Sequence, residues 1–409
     1  MYRLITATYF LCLRLAALFG HKKARLMVRG SEEAWAKIAA AFTADDQPVW
    51  FHAASLGEFE QGRPLMERLR REQPTRKILL TFFSPSGYEV MKDYDMADCV
   101  CYLPFDAPRR ARRFVETVRP AAAFFIKYEF WAYYLQALHK QGVPTYSVSS
   151  IFRKDQIFFR PWGHSYRRAL RSITHFFVQN EESCQLLGSI GITACSVAGD
   201  TRFARVVQIR NEAEPLPIAE QFAAGHDVLV CGSTWPPDEA LLSSFAASHR
   251  DVRLIVAPHV VSEEHIEQIV GRFEGRTCVR YTKTSAEAAA QADVLIIDCY
   301  RLLSRLYRYA TVCYVGGGFG VSIHNVPEAA VYARPVLFGP NNKKFLEAQE
   351  LMRRKACFEV KNQEELNATL EHLLTDRTAL HTAGQAAGAY IEEGARAADA
   401  IYEATMKEE

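Results

Sequence analysis

Short apolar runs alternate with amphipathic stretches along most of this chain. Pro48–Ala53 (PVWFHA), Lys77–Phe83 (KILLTFF), Cys99–Leu103, Ala121–Ile126, Thr145–Val148 and His175–Val178 are nearly unbroken hydrophobic segments. Runs of this length without polar alternation predict strands buried on both faces. Between them Glu60–Gln73, Ala107–Val118, Phe130–Gln141 and Arg160–Arg171 carry helical spacing. After residues 206–226 the pattern restarts with Asp227–Cys231, Val252–Ala257, Cys278–Tyr281, Val294–Ile297, Thr311–Val315 and Pro335–Phe338. The polar, two-proline stretch NEAEPLPIAEQFAAGHD predicts the linker. Leu366–Met406 is helical with no strand to follow. The expected fold is therefore α/β, two doubly wound Rossmann-like domains with a cleft between them.

The first residues stand outside this pattern. Leu4–Gly20 is almost wholly apolar but carries Arg14, and His21, Lys22, Lys23 and Arg25 follow it. A spanning helix needs about 20 apolar residues. No small-x-small cleavage pattern precedes the basic cluster, which argues against a signal peptide. The expectation is a membrane-associated helix, spanning or lying in the headgroup layer with Arg14 snorkelling, and everything downstream on the cytoplasmic side. The predicted division is 1–20 for this helix, 21–205 and 206–385 for the two domains, and 386–409 for a helix that braces both.

Charge separates the halves although the chain nets only +2. Residues 1–205 hold 29 Lys/Arg against 19 Asp/Glu, and the remainder 20 against 28. A basic first half suits an anionic partner such as nucleic acid, phosphorylated lipid or a membrane surface. Arg109, Arg110, Arg112 and Arg113 are candidates for phosphate, or else one solvated helix face. At 49% hydrophobic and 23% charged, the composition excludes collagen, long disordered tails and polytopic membrane proteins. The ten cysteines show no paired CxxC spacing and read as buried, reduced thiols. Only Cys99 and Cys101 are close together, without further ligands nearby, so neither a metal nor another cofactor is expected.

Candidate chemistry sits where strands end and helices begin, the place open parallel sheets gather ligands. The first such loop is HAASLGE, with Ser55, Gly57 and Glu58. Gly57 permits close approach, and Glu58 either takes a proton from an attacking hydroxyl or only complements the helix dipole. Glu129, after the Ala121–Ile126 run, can converge on the same place. In the second half Gly232, Ser233 and Thr234 precede a helix start, suited to a phosphate or to an ordinary N-cap. Pro258 and His259 end the next strand. Gly316, Gly317, Gly318 and Phe319 follow a third, then His324, Asn325 and Glu328. Val321 breaks the GxGxxG dinucleotide spacing. Hydroxyls, glycines, His and Glu without a metal cluster best match a nucleotide-sugar.

Together these segments resemble the Kdo (3-deoxy-D-manno-octulosonic acid) transferases of lipopolysaccharide assembly. The matching motifs are HAASLGE at 52–58, KYEFW at 127–131, Arg153 in SSIFR, GDTRF at 199–203, GSTWPPDE at 232–239, APH at 257–259, VGGGF at 315–319, HNVPEAA at 324–330 and FGPNNKKF at 338–345. The resemblance implies a GT-B glycosyltransferase that moves Kdo from CMP-Kdo to a lipid A precursor (lipid IVA) with inversion, at the cytoplasmic face of the inner membrane. Its partners would be this donor, this acceptor and membrane lipid, not nucleic acid. It points to Glu58 as general base and to Glu129, Lys127 and Arg153 as support. The second-domain loops would bind CMP. Competing expectations are a uridine-diphosphate-sugar transferase or epimerase on the same fold, and a non-catalytic membrane-bound nucleotide-binding protein.

Overall fold

The computed structural model describes residues 2–43 and 45–407. The chain divides into two compact units, Met1–Ala204 with Gly394–Glu409, and Arg205–Glu393. The first holds strands β1 (Val49–Ala53), β2 (Ile78–Phe82), β3 (Cys99–Tyr102), β4 (Ala122–Ile126), β5 (Thr145–Ser150), β6 (His175–Val178) and β7 (Cys195–Val197). They form one parallel sheet in the order β3-β2-β1-β4-β5-β6-β7. Alternation assigns residues to its two faces. Trp50, Leu79, Ala123 and Phe125 join one core, and Phe51, Leu80, Phe124 and Ile126 join the other. Both faces are covered, which is why these strands read as continuous apolar runs.

The second unit repeats the plan with β8 (Asp227–Thr234), β9 (Val252–Pro258), β10 (Cys278–Arg280), β11 (Val294–Ile296), β12 (Val312–Val315), β13 (Val336–Phe338) and β14 (Cys357–Glu359). Their order is β10-β11-β9-β8-β12-β13-β14, again all parallel. The final helix, Arg377–Thr405, places Ala398, Ile401 and Tyr402 in the core of the first unit. Gly394 admits this packing, because a Cβ there would meet the Phe203 ring at 2.2 Å.

Several local expectations need correction. The apolar N-terminal segment forms the helix Tyr2–Leu18, one side of which packs on its own unit. The Tyr2 hydroxyl donates to buried Asp106 (2.5 Å) and accepts from the Ala132 N–H (3.1 Å). Phe10 stacks on Phe105 at 4.3 Å. Leu4, Leu11, Leu15, Leu18 and Phe19 remain exposed. Among the described residues no single helix is long and apolar enough to cross a membrane, because the chain turns by 115° before the helix Lys22–Ala41.

Residues 211–227 are not a loose linker. Pro217–Ala223 is a helix that buries Ala219 and Phe222. The helix expected at Arg160–Arg171 starts only at His164, after a 3-10 turn at Ile157–Phe159. Pro161 disfavours a helical Arg160, and the chain folds back so closely that a Cβ on Gly163 would lie 1.9 Å from the Ile157 carbonyl oxygen. The thiols are not uniformly reduced and buried either. Helix Glu181–Ser189 lies against edge strand β7, and Cys184 is disulfide-bonded to Cys195, with Cα atoms 5.8 Å apart. Cys12 is exposed.

Candidate functional site

Strand order reverses between β1 and β4 in the first sheet and between β8 and β12 in the second. Crevices at the carboxyl ends of such strand pairs are where parallel sheets bind ligands. The loops after these four strands contain most of the residues singled out from the sequence.

In the first unit β1 runs into the helix Leu56–Glu72, with Ser55 as an extended N-cap that makes no side-chain cap bond. Glu58 lies in the first turn, and its carboxylate accepts the Ala54 N–H at 2.6 Å. It therefore performs the capping role left open above while also facing the crevice. Burial, and then the nearby Glu129 carboxylate, push Glu58 up to about 7; the Ala54 and Ser55 N–H groups and the Lys127 charge oppose that rise. A Cβ built on Gly57 would meet nothing within 4 Å. Gly57 itself therefore borders open space at the start of this helix.

After β4 the backbone of Lys127 takes a left-handed φ of 58°, a conformation that costs a non-glycine residue about 1–3 kcal/mol and gathers at functional sites. It is held by Lys127 N–H to the Val148 carbonyl (2.8 Å) and by the Ser150 hydroxyl donating to the Lys127 carbonyl (2.7 Å). Glu129 follows. Its Oε2 accepts the Trp131 indole N–H at 2.7 Å and lies 3.1 Å from His52 Nε2. Arg153 hydrogen-bonds the Tyr128 hydroxyl, which lies in the field of Glu58; burial raises the Tyr128 pKa, and Arg153 draws it down. Ser55, Gly57, Glu58, Lys127, Glu129 and Arg153 all belong to this one strand-end neighbourhood. The N-terminal helix borders it, since Tyr9 is raised by burial and by Glu129 and Phe10 stacks against Trp131 at 6.4 Å. Of the arginine candidates elsewhere, Arg112 pairs with Glu116 (3.6 Å) and Arg113 lies over the Trp35 ring (4.5 Å).

In the second unit the glycines in β8 and after β12 are closely packed against neighbouring chain. A Cβ on Gly232 would sit 2.0 Å from the Tyr307 hydroxyl, on Gly316 2.5 Å from the Ser233 carbonyl oxygen, and on Gly318 2.6 Å from Gly339. Gly317 has a φ of +90° and would strike the Ser322 carbonyl oxygen. These glycines make room for neighbouring protein atoms. Thr234 is fully buried and donates to Glu239 (3.1 Å), so its hydroxyl does not face solvent, whereas half-buried Ser233 has a left-handed φ of 53°.

Buried Asp238 organises the loops. It accepts the Tyr314 hydroxyl (2.7 Å) and the N–H groups of Trp235 and Gly317 (2.9 Å each). At the surface Trp235 stacks on His259 (4.8 Å), which stacks on His324 (4.5 Å). The Trp235 indole donates to His324 Nε2 (3.1 Å), and burial with the neighbouring His259 lowers the His324 pKa. Pro258 is the buried end of β9, and Phe319 packs on the core. Asn325 donates to Glu328 (2.6 Å), whose carboxyl burial nevertheless raises. The β8, β9 and β12 loops thus present a three-ring aromatic shelf beside backbone fixed by Asp238, a surface suited to stacking a base.

Sequence reasoning missed His52, Thr81, Trp131, Asp238 and Trp235 as site components. His52 and Thr81 lay hidden inside strands. Asp238 and Trp235 stand in GSTWPPDE, where only the hydroxyls drew notice.

Residues 23–205 match the family model described as 3-deoxy-D-manno-octulosonic-acid transferase (kdotransferase). The 3-deoxy-D-manno-octulosonic acid transferase of Aquifex aeolicus (strain VF5) is 27% identical over 336 residues, 80% of this chain and 86% of the relative. The protein of the same name from Bordetella pertussis is 28% identical over 320 residues, 74% and 73% of the two chains. Among solved structures, a putative UDP-N-acetylglucosamine 2-epimerase from Listeria monocytogenes aligns with a TM-score of 0.62 at 14% identity, covering 88% of this chain and 95% of its own. At that identity the likeness establishes the fold alone, GT-B-like with two parallel α/β units.

Proposed function

The chain is a relative of the Kdo transferases, and from that kinship we propose that it transfers Kdo from CMP-Kdo to a glycolipid acceptor in lipopolysaccharide synthesis. The acceptor in this reading is lipid IVA, the bisphosphorylated lipid A precursor. Glu58 accepts the proton of the attacking hydroxyl. The freed oxygen forms a bond to the anomeric carbon of Kdo from the face opposite the phosphate. The bond from that carbon to the phosphate oxygen breaks, CMP departs with the electron pair, and the configuration inverts. Lys127 and Arg153 supply positive charge near the base. The loops after β8, β9 and β12 hold the donor, with cytosine stacked on the shelf of Trp235, His259 and His324.

One observation carries the catalytic assignment. Glu58, at the switch point of the family-matched unit, lies beside the Glu129 carboxylate and is pushed up to about 7 by burial and by that neighbour. A base works best when its pKa lies near the operating pH.

The exposed apolar side of the helix Tyr2–Leu18 supports attachment to the cytoplasmic face of the inner membrane. Arg14, Lys22 and Lys23 then meet anionic headgroups. Incubation with CMP-Kdo and a tetraacyl bisphosphorylated acceptor tests the reaction. A Kdo-bearing lipid and free CMP are expected, and transfer from a UDP-sugar instead would replace this reading with the uridine-diphosphate one.

A further inference from the structure

Behind Glu129 a chain of buried polar groups runs into β1 and β2, and the function above has no use for it. His52 is fully buried, and each ring nitrogen has partners. Nδ1 lies 2.8 Å from the Thr81 hydroxyl and 3.1 Å from the Thr81 carbonyl oxygen. The Thr81 hydroxyl accepts the Trp50 indole N–H (2.8 Å) and donates to the Phe51 carbonyl (3.4 Å). The Thr81 carbonyl oxygen can only accept, so the Nδ1 beside it is assigned the hydrogen. On the other side Nε2 lies 3.1 Å from Glu129 Oε2. The Trp131 indole hydrogen is nearer Glu129 (2.7 Å) than Nε2 (3.1 Å). The one indole hydrogen cannot fully satisfy both, and two acceptors 3.1 Å apart in a buried setting still repel. One further proton therefore belongs between His52 and Glu129.

We propose that His52 is a positioning residue that shares a proton with Glu129, making the pair electrically neutral and holding the Glu129 carboxyl in place beside the base Glu58. This rests on the transferase reading above for its consequence, though not for its geometry. Other charged or titratable groups facing the pair are Glu58 and Lys127, Tyr128 with Arg153, and Tyr9 from the N-terminal helix. With the proton shared, Glu58 feels only part of the Glu129 charge that helps to raise it. Without His52 it faces an uncompensated carboxylate and holds its proton to higher pH.

The test is the acid limb of the pH–rate profile in His52→Asn, Glu129→Gln and the double variant, each checked for fold by circular dichroism. The proposal predicts that His52→Asn moves the limb upward by about half a unit or more, that Glu129→Gln moves it downward by less than His52→Asn moves it up, and that the double variant matches Glu129→Gln alone. A purely structural His52 beside an ordinary ionised Glu129 gives a different pattern, no movement in His52→Asn and the larger shift, downward, in Glu129→Gln, and that result overturns the proposal. His52→Gln replaces His52→Asn if the latter does not fold. The carboxyl of Glu58 is also titrated by carbon-13 NMR, which needs no turnover. If the wild type makes no Kdo product, the transferase reading fails while this titration still decides the proton.

Discussion

Glu58 makes a prediction about stability as well as rate. Its pKa rises from 4.5 to about 7 on folding. Below pH 4.5 both folded and unfolded states hold the proton, and Glu58 has no effect on the pH dependence of stability. Between 4.5 and 7 only the folded state keeps it, so stability falls as pH rises, by roughly 3 kcal/mol in all, and the full loss persists above 7. Glu58→Gln removes that dependence. Denaturant melts at pH 5 and pH 8 are expected to show the Gln variant gaining on wild type at the higher pH, and equal differences at the two pH values would contradict the burial described. The same variant loses about 10²–10⁴ in turnover. At this scale Glu58 and Glu129 were legible because motif and strand-end position coincide. Their partners were not. His52 and Thr81 occupy strand interiors, and nothing in a buried strand's pattern tells a satisfied histidine from one that faces a carboxylate across to β4.

Among elements, the N-terminal helix is the one whose contacts the sequence concealed. Its apolar run announced the helix, but the contact that docks it joins Tyr2 to Asp106, more than a hundred residues away. Burial raises Asp106 to about 6, with the hydrogen bonds from Tyr2 and from the Tyr133 and Tyr134 N–H groups opposing it. Tyr2→Phe removes one of those donors and is expected to lower the stability of the docked helix by about 1–3 kcal/mol. Hydrogen exchange should quicken across residues 2–18 and not in β1–β4; uniform protection in the variant would show that the aromatic contacts alone hold the helix.

The packing role of the second unit's glycines was hidden for a related reason. A glycine after a strand looks the same whether it admits a phosphate or another piece of chain. Gly232→Ala drives a Cβ into the Tyr307 hydroxyl and is expected to destabilise by about 1–3 kcal/mol. Combining it with Tyr307→Phe should recover part of that loss, since the Leu303 methyl and the Tyr307 ring carbon still crowd the new Cβ, a non-additivity that urea melts measure. Simple addition of the two losses would mean that the tyrosine hydroxyl is not what the new methyl meets.

Over the whole molecule, the strand-helix alternation made both parallel sheets legible. The edge strands β7 and β14 escaped because Cys195–Val197 and Cys357–Glu359, with a Ser and a Glu and only partial burial, form no apolar run. Unlegible too was the fate of residues 211–227, where Phe222 turns a polar stretch into a packed helix. Charge and surface carry one further prediction at this scale. Leu4, Leu11, Leu15 and Leu18 are exposed on one helix with basic residues at its end. The double variant Leu11→Glu with Leu15→Glu should co-sediment far less with vesicles of phosphatidylethanolamine and phosphatidylglycerol, while folding as wild type does. Undiminished sedimentation would transfer membrane attachment to another surface.

The central claim is that a carboxylate at the end of β1 activates an acceptor hydroxyl toward CMP-Kdo. Its most direct measurement is release of CMP, and appearance of a lipid heavier by Kdo, from purified wild type and Glu58→Gln given CMP-Kdo and tetraacyl bisphosphorylated lipid. The account predicts product from the wild type, an acid limb near pH 7, and a loss of about 10²–10⁴ in the variant. Product formed by Glu58→Gln at the wild-type rate would contradict it.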